Sequence, residues 1–141
     1  QDLLEHVREE HREIIFEEES HIVTLVNFND FAENDFTVVR AWFVHSQFFW
    51  HKIVNNVERK QLTHSFVLVP NGKPKNEFFV KAVSTSRDMK FVVKIKLSLD
   101  PNVSTEETNY ISIPKFMLPH FVDEDSKLTS HITFKTGKNL I

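Results

Sequence analysis

Eight histidines are the main stock of side chains here that can move protons or bind metals near neutral pH. Among them only His6 and His11 have informative spacing. They close a leucine-rich helical turn as His-x4-His, the shape of the second half of a zinc finger, in which one helix brings two imidazoles to a tetrahedral ion. Zinc takes four ligands and this stretch supplies two, so no cofactor is expected in this chain. Zinc binding would need a cysteine pair upstream, in a longer chain. The plainer alternative is two solvated helix histidines. His45, His51, His64 and His131 fall on expected strands or their ends and are read as surface or partly buried sheet residues. No cysteine nucleophile, Gly-x-Ser-x-Gly turn or glycine-rich phosphate loop is present, and Asp123 with Asp125 suits a turn better than an acid–base pair. No catalytic residue is assigned.

The elements that must position these residues are strands. From Phe36 to Val54 the sequence FTVVRAWFVHSQFFWHKIV holds both tryptophans amid phenylalanine and valine, and reads as two strands in succession. HIVTLVNF (21–28), Leu62 to Val69, Phe78 to Val83 and Leu128 to Lys135 read as further strands. Met89 to Leu99 alternates most clearly, with Phe91, Val93, Ile95, Leu97 and Leu99 on one face and Lys94, Lys96 and Ser98 on the other. Ile14 to Phe16 begins a β-type segment running into an acidic turn. Asp2 can cap an amphipathic helix over residues 2–13 built on Leu3, Leu4 and Val7. Asn29 to Asp35 reads as a loop, Pro70-Asn71-Gly72 as a turn, and Asp100 to Tyr110 as a polar loop. Pro114 suits the first turn of a short helix ending before Pro119. Seven or eight strands joined by polar turns predict an all-β antiparallel sandwich.

A length of 141 residues fits one unit with one core. The net charge of −3, with acids and bases interspersed, leaves no footprint for nucleic acid or an anionic membrane. No apolar run approaches the roughly 18 residues needed to cross a bilayer. The charged start argues against a signal peptide within these residues, and the lack of cysteine agrees with a reducing compartment, so a cytoplasmic or nuclear location is expected. A first residue of Gln is expected of a fragment of something longer. The sequon Asn102-Val103-Ser104 is read as chance.

The order of these segments resembles the substrate-binding domain of the seven-in-absentia (SINA) E3 ubiquitin ligases. LLEHVREEHREI is similar to the last helix of that family's second zinc finger, and HIVTLV to its first core strand. AWFVHSQFFWHKIV resembles its hydrophobic strand pair, with His45-Ser46-Gln47-Phe48 at the centre. NEFFVKAVSTSRDMKFVVKIKLSL resembles its Phe-Phe strand, turn and long following strand. ISIPKFMLPHFVDEDSKLTSHITF is similar to its closing short helix and last strand.

The resemblance implies an eight-stranded TRAF-like sandwich over 14–141, preceded over 1–13 by the C-terminal helix of a truncated finger. It implies a substrate-recognition and dimerisation module that binds degron peptides of proteins marked for ubiquitination and proteasomal degradation. The expected partners are therefore peptide segments of substrate or adaptor proteins and a second copy of the chain, with an E2 enzyme engaged only through upstream parts. Carried over by position, the peptide edge involves Phe16, Glu17, Ala41, Trp42 and Phe43; for Phe16, Trp42 and Phe43 the alternative is ordinary core packing. Glu17 and Ala41 stand where the family has apolar and aromatic types, so a Val-x-Pro peptide is expected to bind weakly or not at all. The segment between Leu99 and Ile111 is shorter than the family's, and RING cysteines are missing. A reading from another class is a TRAF/MATH-type scaffold without ligase activity.

Overall fold

The computed structural model describes residues 2–69, 77–99 and 109–137. The turn expected at Pro70-Asn71-Gly72, the sequon and nearly all of the loop expected after Asp100 lie outside them. The described residues form two facing sheets. One holds β1 (Ile15–Phe16), β3 (Phe36–Val44), β4 (Gln47–Asn56), β5 (Gln61–Val69) and β8 (Tyr110–Pro114), in the order β1-β3-β4-β5-β8. The other holds β2 (Ser20–Leu25), β6 (Phe78–Thr85), β7 (Lys90–Lys96) and β9 (Leu128–Thr136), in the order β2-β9-β6-β7. The expected two-layer β architecture is present, with two corrections. There are nine strands among the described residues rather than eight, and β1 runs parallel to β3, because the chain visits the other sheet as β2 before returning.

The ninth strand is β8, which sequence alone left as a mixed stretch. Its final residue, Pro114, lacks an N–H for a ladder, and such a residue is tolerated because β8 is an edge. The helix expected from Pro114 is a 3₁₀ helix, Lys115–His120, and Pro119 lies inside it instead of beyond it. The fixed φ of proline suits a 3₁₀ turn. A second short helix, α2 (Phe28–Phe31), occupies the start of the expected 29–35 loop.

Alternation decides what each strand buries. Trp42, Phe49, Ile53, Leu62 and Phe66 from one sheet meet Val80, Ile132 and Phe134 from the other, all fully buried in one continuous core. In β7 the odd positions Phe91, Val93 and Ile95 pack inward while Lys90, Lys94 and Lys96 stay exposed, as the pattern predicts. The β3–β4 hairpin turns on only His45 and Ser46, both at positive φ (49° and 64°), the geometry of a two-residue type I′ turn. Neither is glycine, so each accepts a conformation that costs an L-residue roughly 1–2 kcal/mol.

Helix α1 (Leu3–Glu10) is shorter than the 2–13 span expected, and the Asp2 Oδ1 cap accepts from the Glu5 N–H at 2.7 Å. It lies on the outer face of the five-stranded sheet. There Val7 is buried with Ala41 and Phe48, flanked by Leu4, Phe43 and Trp50, in a small core separate from the main one.

Candidate functional site

The five residues expected at a peptide edge do not converge. Successive residues of a strand point to opposite faces, so Trp42 enters the main core while its neighbours Ala41 and Phe43 join the small core under α1. Ala41 and Trp42 are fully buried and, as they stand, offer a partner no side-chain surface. For Trp42 this is the core packing weighed as the alternative, and it follows from the aromatic density of the strand. Glu17 is engaged by Arg8, whose Nε donates to it at 2.8 Å and whose guanidinium sits 5.9 Å from the Phe43 ring centroid. Phe16 packs between Trp42 (4.7 Å between centroids) and His21 of β2 (4.2 Å). It therefore plugs one end of the flank where β3 and β2, belonging to different sheets, run past each other.

Beyond that plug the flank is open. β1 pairs only with Ala41 and Trp42, so Phe36 to Arg40 of β3 have no strand on their far side among the described residues, and β2 pairs only with β9. Between these two unpaired edges lies a groove of about 210 Å³ lined by Leu25 and Val26, by Phe28 and Phe31 of α2, and by Phe36, Val38 and Arg40 of β3. Leu25 and Phe28 form a buried floor, while Val26 and Phe31 remain 59% and 51% exposed on the rim. The two exposed apolar side chains are thus clustered beside unpaired edges and not scattered singly.

The one cation in the groove is Arg40. Its Nη1 donates to the Val39 carbonyl at 2.9 Å, and it has no carboxylate partner among the described residues. A half-buried guanidinium in an apolar setting retains donors suited to a carboxylate.

Behind Arg40 the polar chemistry continues inward. Arg40 is directly opposite His51, which with His64 is buried; both were expected nearer the surface. The Trp42 indole N–H donates to His51 Nδ1 at 3.2 Å, so the His51 proton is on Nε2 and is donated to His64 Nδ1 at 2.8 Å. In this one-way chain the neutral His51 ring is donor and acceptor at once, and His64 accepts at Nδ1. Burial pushes His51 well below the usual imidazole range, with electrostatic repulsion from His64, should that ring protonate, and from Arg40 adding to it, and burial pushes His64 down to about 4. Stacked on Phe66 at 4.5 Å, His51 works as a satisfied core group and not as a proton donor to a ligand.

His6 and His11 sit on the exposed side of α1 and at its C-cap, with ring centroids 5.3 Å apart. No group of three or more His, Cys, Asp or Glu that could hold a metal ion occurs among the described residues. Among those residues no helix is long and apolar enough to cross a membrane. The missed groove had a partial signal, the shared parity of Phe36 and Val38. Val26 and Phe31 carried none, since their role depends on α2 folding back over the flank. The chain matches no model of a known protein family, and no curated protein sequence matches it.

Proposed function

We propose that this chain is a peptide-recognition module that captures an extended segment of another protein on the open flank between β2 and β3. The observation that carries this is the pairing of two unpaired strand edges with an apolar groove holding a single unneutralised Arg40. An extended peptide entering there can hydrogen-bond to a free edge, place an apolar side chain against Leu25, Phe28 and Val38, and present a carboxylate to Arg40. The wider role favoured is substrate recognition and dimerisation in a SINA-type ubiquitin ligase, with an E2 engaged by other parts of the protein. Its support is the order of segments that resembles that family and the two-sheet architecture.

A peptide array probed with the chain tests the reading. Peptides joining an aliphatic residue to a nearby Glu or Asp are expected to bind, Phe31→Asp is expected to lower all binding at least tenfold, and Arg40→Gln is expected to erase only the acidic preference. Unchanged profiles in both variants would discard the groove. Ubiquitin-conjugated proteins recovered on the wild type but not on Phe31→Asp would support the ligase role, and their absence from both would count against it.

A further inference from the structure

The outer face of the four-stranded sheet has a charge pattern that folding alone does not explain. Lys81, Lys90, Lys94, Lys96 and Lys135 share strand parity on that face, five of the 17 lysines and arginines of a chain whose net charge is −3. Lys96 is paired with Glu77 at 3.0 Å and Lys135 with Glu19 at 2.6 Å. Lys81, Lys90 and Lys94 have no carboxylate among the described residues. Lys81 and Lys94 are moreover direct cross-strand partners, and like charges so placed destabilise a sheet. Thr133 and then Ser20 continue the same row on β9 and β2, so two hydroxyls and two ammonium groups line up across all four strands. The next row runs Ile22, His131, Val83, Val92, with Ile22 55% and Val92 41% exposed.

We propose that this face docks a short acidic segment of a partner protein, one carboxylate seated at the Lys81–Lys94 pair, an apolar residue two positions on against the Ile22–Val92 row, and a second carboxylate two positions further at Lys90. The two rows lie two residues apart along the strands, roughly 7 Å, which is also the spacing of side chains i and i+2 on one face of an extended peptide. A long polyanion is disfavoured because the chain as a whole is negative, whereas a short segment responds to charges within the screening length of about 8 Å. Single-stranded nucleic acid would want a series of stacking rings, and among the described residues the face has only the half-buried Phe79 and the lone imidazole of His131. The site is separate from the groove and does not depend on it.

Fluorescence anisotropy of a labelled Glu-Ser-Leu-Ser-Glu peptide against the full chain tests the proposal, with a Gln-for-Glu peptide as its neutral counterpart. The expected result is binding at low salt that weakens as salt is raised and is at least tenfold weaker for the neutral peptide. Lys81→Glu/Lys94→Glu should lose it at least tenfold, while Lys127→Glu and Phe31→Asp retain it. The single variant Lys94→Glu should bind worse and melt at a higher temperature than the wild type, because it turns an opposed like-charge pair into an attractive one. Equal binding by the wild type and the double variant, or no binding at low salt, overturns the proposal. So does tighter binding of poly-uridine RNA or phosphatidylserine vesicles that the double variant abolishes, since either would assign the face to another class of partner.

Discussion

The two flanks of the sandwich solve the same edge problem in opposite ways. On the flank shared by β7 and β8, the buried Asn109 side chain accepts from the Ser98 N–H at 2.7 Å and donates to the Ser98 carbonyl at 2.8 Å, standing in for a strand. The Asn109 carbonyl in turn accepts from the Phe66 N–H at 3.0 Å, so one residue joins the end of one sheet to the middle of the other. On the flank shared by β2 and β3, the bridges among the described residues are ring contacts, Phe16–His21 and Phe28–Phe36, and between them lies a groove. The closed flank spends its polar groups on itself. The open one leaves backbone and apolar surface without partners, and one guanidinium without a carboxylate, among the described residues, and the proposed recognition role rests on that difference.

Acid should act most strongly on the row that leads inward from the open flank. Unfolded histidine titrates near 6.5 and folded His64 at about 4, so between those values the unfolded chain takes up a proton that the folded chain refuses. Stability therefore falls as pH drops through that window, by about 3 kcal/mol from His64 alone, and His51 moves in the same direction. Above pH 6.5 this slope should vanish. Urea denaturation at a series of pH values measures it. His51→Phe/His64→Leu should flatten the profile, and an unchanged slope in that variant would refute the assignment.

Asn109→Ala should cost somewhat less, about 2–3 kcal/mol, because it removes both hydrogen bonds that the buried amide makes to the Ser98 backbone. Peptide affinity at the groove should stay within twofold, since the damage is on the other flank. Phe16→Ala should have the smallest effect on stability, about 1–2 kcal/mol for a half-buried ring, yet the larger effect on recognition. Removing the plug lengthens the groove toward Trp42, so the peptide array should show broader sequence tolerance. A narrower profile would mean that Phe16 is itself a contact.

How much of this is legible in the sequence depends on range. Strict alternation in Lys90 to Lys96 gave β7 and its faces directly, because period-2 patterning is local. Asp123 also did as its type suggests, its carboxylate accepting from the Asp125 and Lys127 N–H groups in a turn. β8 escaped because Tyr110 to Pro114 is short and ends in proline, so only its pairing with β5 makes it a strand. His51 and His64 look like polar breaks in apolar strands until their rings are seen to satisfy each other and Trp42. The groove was least legible of all, since it joins Leu25, Phe31 and Val38 from three elements and no local pattern connects them.

One consequence concerns where this unit may be cut. Val7 supplies the lid of the small core over Ala41 and Phe48, with Trp50 and Phe43 beside it. A boundary drawn at residue 13, treating the leading segment as a disposable remnant, would leave those aromatics wet beside Ile15 and Val69 on the outer face of the sheet. The shortened piece should clump in solution while its hairpins stay intact, so any truncation meant to isolate the sandwich must start ahead of Leu3.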